Sequence, residues 1–338
     1  MQFRDFAATL TTALVVGMLP AYAQGQGQTL RIAYASAEND LHSMAWEVFA
    51  EELEAALPGR FNVELYPNGS LYRQGDQVAA MARGNLEAGH MSNNLIAAQV
   101  PSASILTSGY LFRDAAHICT FWTSDLGEEL ADRVANEVGI RVLSAGYLGT
   151  RHVSLRETRE VNTPEDLAGV RLRMPDSDTW LFLGSALGAQ PTPLAFGELY
   201  LALRAGAVDG QDNPLPTLVS NNFYEVQDQV VLTSHLVDSI LFSVSESFWQ
   251  SLDEGEQAAL TEAAWAGADF NTRKRIEVEA TLVEFLKENG MEVTTPDVDA
   301  FRTRVQAAYR DSRYSQDWET GMLEAINALQ PEGRCAQY

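Results

Sequence analysis

Basic residues are what this sequence has least of. Its 338 residues carry 23 Lys and Arg against 46 Asp and Glu, a net charge of −23. Only two of the bases, Lys274 and Lys287, are lysines. The chain therefore lacks the basic face that displaces counterions from phosphates, which argues against a nucleic-acid partner. It equally lacks a polybasic patch to hold it on an anionic membrane surface. Cysteine is scarce: Cys119 and Cys335 alone, without the spacing of a zinc site or the neighbours of a catalytic thiol. An oxidising compartment permits a bridge between them, and the sequence leaves open whether the polar tail around Cys335 reaches Cys119. The five histidines (His42, His90, His117, His152, His235) are scattered, with no i, i+4 pair to grip a metal. There is no G-x-S-x-G elbow, no phosphate loop and no H-E-x-x-H. Neither cofactor nor metal is expected. Beyond residue 23 no apolar run approaches the roughly 20 residues a membrane span requires.

Apolar residues make up 46 % of the chain and charged residues 20 %, enough for a packed core. At roughly 150 residues per domain the length suits two domains. Met1–Ala23 reads as a secretory signal, with Arg4 in a short n-region, an apolar Phe6–Leu19, and Ala21-Tyr22-Ala23 as the cleavage site. The expected product is a soluble protein exported to a bacterial periplasm.

The mature chain opens in β-α-β-α order. Leu30–Ala35 is strand-like, and His42–Leu57 carries Ala45, Val48, Phe49, Leu53 and Leu57 on one helical stripe. Pro58-Gly59 stops that helix. Phe61–Tyr66 alternates as a strand, Pro67-Asn-Gly-Ser70 turns, and a second helix is expected over about Gln74–Arg83. The middle repeats the pattern: strand Val142–Tyr147, helix start Thr163-Pro-Glu-Asp166, strand Val170–Met174, a helix from Asp176 or Ser177 to Leu187, helix Phe196–Ala205 and strand Val208–Asn213. Such alternation implies a parallel or mixed sheet flanked by helices. Glu254–Asn289 contains no proline. Unbroken, it would be about 54 Å long and brace two domains, with Gly255 and Gly267 as possible breaks.

The segment richest in chemistry is Gly169-Val-Arg-Leu-Arg-Met-Pro175. Alternation puts Arg171 and Arg173 on one face, and paired guanidiniums invite a carboxylate, whose geometry their planar fork matches. Bridges to the abundant surface acids explain the same residues without a ligand. Gly206–Pro214 ends a presumed strand in polar residues, where open α/β sheets bind ligands, and Asn213 offers both donors and an acceptor there.

These residues carry a resemblance. Gly169–Ser177, then Ala189–Leu203, Gly206–Pro214 and Phe223-Tyr-Glu-Val226 are similar to the DctP-type extracytoplasmic solute receptors of tripartite ATP-independent periplasmic (TRAP) transporters. The likeness extends back to Tyr66–Leu71 and forward to Leu232–His235 and the C-terminal helices. It implies a two-domain α/β clamp, periplasmic-binding-protein-like, whose domains close over a small organic acid and hand it to the transporter's membrane subunits. It implies residues 24–148 plus about 238–275 as one domain and 149–237 plus about 276–338 as the other, with the ligand cleft between them. It places the carboxylate-binding arginine at Arg173, a second arginine at Arg151, the polar partner at Asn213 and an apolar wall at Phe196. Arg171 becomes a surface or interdomain residue.

The far end of the ligand falls to Ala35 or Ser36, Gln74-Gly75 and Ser92-Asn93. Gln74, Ser92 and Asn93 are neutral, and Tyr72 replaces a frequent family glycine, so hydroxyl groups suit this end better than a second carboxylate. Trp180 is a candidate to stack on a sugar ring, or else a core residue. The resulting expectation is a monomeric receptor without catalytic activity, taking a carboxylate such as a sugar acid. The alternatives are a C4-dicarboxylate ligand, service to an ABC transporter or sensor kinase, and a secreted hydrolase or lyase.

Overall fold

The computed structural model describes residues 27–338, Ala98 excepted. The expected signal segment Met1–Ala23 lies outside the described residues.

Nine strands form one continuous mixed sheet. They are β1 (Gln28–Ala33), β2 (Phe61–Tyr66), β3 (Ala88–Ser92), β4 (Ile140–Leu155), β5 (Arg171–Met174), β6 (Gln190–Pro193), β7 (Gly210–Pro214), β8 (Gln229–Ser245) and β9 (Glu292–Thr294). Across the sheet the order is β2-β1-β3-β8-β4-β7-β5-β6, with β9 added beside β8. The three strands at one end run parallel through β1, and β5 lies parallel between β6 and β7 at the other. Between them, β8 and β4 pair antiparallel with each other and with the strands outside them.

The connection between the halves is where the structure exceeds the expectation. Val142–Tyr147 is only part of β4, which runs 16 residues, and β8 runs 17. At about 3.4 Å per residue each is about 55 Å long, so both cross from one half to the other. The halves thus share one sheet.

Five helices position the site. α1 (Leu41–Ala56) begins at Asp40, whose carboxylate accepts the His42 N–H, and it buries Ala45, Trp46, Phe49 and Leu53. Val48 and Leu57, expected on its inner stripe, are half-buried. α2 (Asp76–Ala82) follows the Pro-Asn-Gly turn, and α3 (Asp178–Ala186) starts under a Ser177 cap. α4 (Leu215–Ser220) continues directly from β7. α5 (Glu254–Glu288) is one helix of 35 residues, opened by a reciprocal capping box between Asp253 and Glu256. Its early turns put Leu260, Ala264 and Ala268 into a core with Trp46 and Phe242. Its last turn puts Leu286 among Leu199, Leu203 and Phe223 in the other half.

Neither glycine breaks α5. Gly255 sits in the capped first turn. At Gly267 a Cβ would lie 2.5 Å from the Ala45 carbonyl oxygen, so this glycine lets α5 and α1 touch backbone to backbone. The cysteine question resolves as a disulfide: Cys119 and Cys335 are bonded with their Cα atoms 5.6 Å apart, tying the C-terminal tail to the helix Ala115–Trp122.

Candidate ligand-binding cleft

A cleft enclosing about 640 Å³, open solvent at its mouth included, lies where strand ends of the two halves face each other. The second half contributes Arg151 from β4, Arg173 from β5, Asn213 from β7, and Phe196 just after β6. The first half contributes Ser36 after β1, Gln74 and Gln77 around the start of α2, and His90 and Ser92 from β3. Among the hydrogen bonds that join the halves, two span the edges of the cleft. The Phe196 N–H donates to Gln74 Oε1 at 3.2 Å, and Ser220 Oγ donates to Asp40 Oδ2 at 2.7 Å.

The two arginines of the second wall are held very differently. Arg151 is buried and ion-paired. Its Nε donates to Asp238 Oδ2 at 2.9 Å, and its Nη1 donates to Asp212 Oδ2 at 3.2 Å, the Asp212 carbonyl at 3.0 Å and Asn213 Oδ1 at 3.1 Å. Its guanidinium carbon lies 4.2 Å from the Trp180 ring centroid. Irregularities in the β4–β8 register flank it, and Gly149 just before it has φ +130°. A Cβ at Gly149 would meet Pro214 at 2.4 Å, so Gly149-Thr-Arg151 needs its glycine to bring β4 against β7.

Burial pushes the Asp212 carboxyl up, but Arg151, His235 and Arg173 together hold it below its ordinary value. His235 Nε2 lies 3.2 Å from Asp212 Oδ2. At Asp238 burial wins, and the carboxyl is raised despite Arg151.

Arg173 is 1 % exposed, yet no carboxylate among the described residues lies within ion-pair distance of it. Its Nε donates to the Leu194 carbonyl at 2.9 Å, the Phe196 ring centroid lies 5.9 Å from its guanidinium carbon, and its Nη2 is buried without a partner. Burial lowers it to about 10, with Asp212 partly offsetting this and Arg151 adding to it. It therefore remains a cation at neutral pH, with a donor to spare.

Two of the candidate site residues, Trp180 and Asn93, lie outside the cleft. Trp180 does not line the cleft: it is 1 % exposed, packs in the core beneath Arg151 and presents no face to a sugar ring. Asn93 also lies behind the wall, where its Nδ2 donates to Asp238 Oδ1 and its Oδ1 accepts from Ser239 Oγ, each at 3.0 Å. Trp180 faces inward from α3 onto Arg151, and Asn93, one residue past β3, turns onto Asp238 of β8; sequence spacing alone does not distinguish such inward faces from the cleft. Arg171 pairs with Asp209 at the surface, its side chain 44 % exposed. Alternation gives Arg171 and Arg173 one side of β5, but two residues of rise, about 7 Å, separate the exposed start of the strand from its buried end.

Sequence reasoning missed a second buried network. Arg275, from the middle of α5, donates from Nη2 to Asp40 Oδ1 at 2.5 Å, and from Nη1 to the Leu148 carbonyl at 3.0 Å. Arg275 and Asp40 neutralise each other. The available signal was the N-cap pattern Asn39-Asp40-Leu41-His42, which places Asp40 at the head of α1. Among the described residues no group of three or more His, Cys, Asp or Glu side chains is arranged to hold a metal.

Two α/β halves sharing a pair of long strands, with a polar cleft at their strand ends and one unneutralised buried cation inside, define a clamp-type receptor for a small anionic solute. The chain belongs to the DctP family, the bacterial extracellular solute-binding proteins of family 7, whose model matches residues 32–316. This is the receptor family of TRAP transporters. The chain is similar to a TRAP periplasmic solute-binding protein from Roseobacter denitrificans solved with bound 3-deoxy-D-manno-oct-2-ulosonic acid: 44 % identity, TM-score 0.86, covering 90 % of this chain and all of that one. A second structure from Roseobacter denitrificans, with bound L-galactonate, shares 28 % identity at TM-score 0.83, covering 90 % and 99 %. The sialic acid-binding periplasmic protein SiaP of Vibrio cholerae is 30 % identical over 300 residues, 89 % of this chain and 93 % of that protein.

Proposed function

We propose that this protein is an exported, periplasmic receptor that captures a hydroxylated monocarboxylic acid, a sugar acid, and delivers it chemically unchanged to TRAP membrane subunits. The observation that carries the reading is Arg173, a buried guanidinium with an unpartnered donor and no protein counterion. A carboxylate entering the cleft supplies both the missing acceptor and the missing charge. Asn213 and Arg151 sit beside it, and Phe196 forms the apolar surface against which the carbon chain lies. Arg151 and Arg275 are already neutralised, by Asp212 and Asp238 and by Asp40. One available cation suits one carboxylate, and the neutral Ser36, Gln74 and Ser92 opposite suit hydroxyls. The similar Roseobacter denitrificans proteins, solved with bound 3-deoxy-D-manno-oct-2-ulosonic acid and L-galactonate, favour the same ligand class.

In this reading Met1–Ala23 is the cleaved export signal. Residues 24–148 with about 238–275 close against residues 149–237 with about 276–338, and the chain works as a monomer. The hydrogen bonds Phe196–Gln74 and Ser220–Asp40 fasten the closed form across the cleft. The acidic surface does not repel the ligand from the site, because at about 0.15 M salt charges beyond about 8 Å are screened. Calorimetric titration with aldonates, uronates, 3-deoxy-D-manno-oct-2-ulosonate and C4-dicarboxylates tests the proposal. Binding of a sugar acid, with succinate and malate far weaker, is expected; tight binding of only the dicarboxylates would overturn the ligand class.

A further inference from the structure

Arg173 is not alone in having an unpartnered atom in the cleft. On the first-half wall His42 Nε2 and Gln77 Oε1 are also buried, belong to cleft-lining residues, and have no hydrogen-bond partner. Neither is expected from the spacing of the sequence. Gln77 falls on the inner face of α2, and His42 one residue inside the start of α1.

The partners these two residues do have fix what each offers the cleft. His42 Nδ1 lies 3.0 Å from Arg275 Nη2. A guanidinium can only donate, so this ring nitrogen accepts. Asp40 Oδ1 also lies 3.0 Å from this nitrogen, but of the two neighbours only the Arg275 N–H is aligned for a hydrogen bond to it. Burial, with Arg275 beside it, pushes the imidazole down to about 4, so the ring is neutral at pH 7 and its one proton sits on Nε2. The cleft therefore meets an N–H donor at His42. Gln77 Nε2 donates to the His90 carbonyl at 2.5 Å, which sets the amide and leaves Oε1 as a bare acceptor. His90 itself accepts from the Trp46 indole N–H at Nδ1, 3.1 Å, so its remaining proton on Nε2 points to Ser36 Oγ at 3.0 Å. These imidazole and amide orientations are thus dictated from behind the wall by groups that can act in only one sense.

Resting on the reading of the cleft as a receptor for a one-carboxylate acid, we infer that His42 Nε2–H and Gln77 Oε1 form a hydroxyl-reading subsite on the wall facing Arg173. His42 donates to a ligand hydroxyl or carbonyl oxygen, and Gln77 accepts a ligand hydroxyl proton. A hydroxyl has both a lone pair and a proton, so a polyhydroxy chain satisfies both protein atoms. A methylene satisfies neither, and a second carboxylate sets its lone pairs against Gln77 Oε1. Buried polar groups that only the correct ligand can pair are how a site rejects analogues lacking a hydroxyl.

The test uses the full mature chain and two probe pairs: L-galactonate against hexanoate, which has the same carbon count and no hydroxyls, and 3-deoxy-D-manno-oct-2-ulosonate against octanoate. Gln77→Met keeps the side-chain length and removes the acceptor; His42→Phe keeps the ring and removes the donor. Calorimetry should show each variant binding the sugar acid ten- to a hundredfold more weakly than wild type, with the fatty acid unchanged, so that the ratio between the pair narrows. A cleft merely loosened by mutation weakens both members equally, and that result, or an unchanged ratio, overturns the inference. Melting of the free protein identifies a variant that does not fold; if His42→Phe is one, the ratio for Gln77→Met decides alone. If wild type binds neither sugar acid, the receptor reading itself fails and this subsite falls with it. A wild-type preference that survives both substitutions defeats the subsite alone.

Discussion

The two walls of the cleft solve opposite problems. The second-half wall holds two guanidiniums, one neutralised from below by two buried acids and one left unneutralised. The first-half wall holds imidazole, amide and hydroxyl groups that are neutral, each oriented from behind. The charged wall supplies affinity for a carboxylate, and the neutral wall supplies direction for the rest of the molecule. Arg151 and Arg173 make the same point on a smaller scale. Both are buried arginines of the same cleft, yet the protein pairs one with two carboxylates and leaves the other without one at ion-pair distance.

That contrast breaks most sharply in stability. Arg151→Met strands Asp212 and Asp238 without their cation and should cost about 3–5 kcal/mol in urea unfolding. Arg173→Met removes a buried cation with no carboxylate at ion-pair distance and loses only its longer-range support of Asp212, so the free protein should lose far less stability than Arg151→Met does. Equal losses from the two substitutions would mean that the arginines are not held differently after all.

The next effect is acid lability, which comes from buried neutral imidazoles in both halves. Buried His42 is lowered to about 4 and His152 to about 3 from ordinary values near 6.5. The unfolded chain therefore binds protons that the native protein refuses. Stability contributed by neutral burial is fully present above about pH 6.5 and is lost as pH falls through that window towards the folded values. His42 alone accounts for about 3 kcal/mol between pH 6.5 and 4. Asp238, raised by burial, works in the opposite direction and recovers part of this as it protonates. Denaturant midpoints should fall from pH 7 to pH 4, and His42→Phe should flatten the slope; a wild-type midpoint indifferent to pH would contradict the neutral assignment.

Smaller effects lie in ligand binding. Arg173→Lys retains the charge but loses the planar fork, and should weaken sugar-acid binding by about 1–3 kcal/mol in calorimetry. Asn213→Ala removes a neutral group already shared with Arg151 and Gln211, and should cost only about 0.5–1.5 kcal/mol. Were Asn213 the more costly of the two, the anchor would have to be moved from Arg173 to the β7 strand end.

Much of this arrangement is legible in the sequence where structure is local. The opening β-α-β-α order follows from period and turn residues, and the 35-residue helix from an absence of proline. Alternation alone treats Arg173 and Arg171 alike, and the family resemblance is what separates them. What escapes is what depends on distant partners. β8 is hard to read as a strand because Thr233, His235, Asp238 and Ser239 interrupt its apolar pattern, and those residues are polar because they serve buried partners: Thr233 pairs with His235, His235 with Asp212, Asp238 with Arg151 and Ser239 with the Trp122 indole. Arg151 looks like a free cation until Asp238, 87 positions away, folds against it. Trp180 looks available to a sugar until the same arginine covers it. The Cys119–Cys335 bridge spans 216 positions, and no local rule reaches that far.

The measurement that bears most directly on the central claim is a paired titration of wild type and Arg173→Met with one sugar acid and its neutral primary amide. The acid should bind wild type far more tightly than the amide does, and Arg173→Met should lose that preference while remaining folded. Equal binding of acid and amide by wild type, or a preference for the acid that persists without Arg173, would contradict the assignment of Arg173 as the carboxylate anchor.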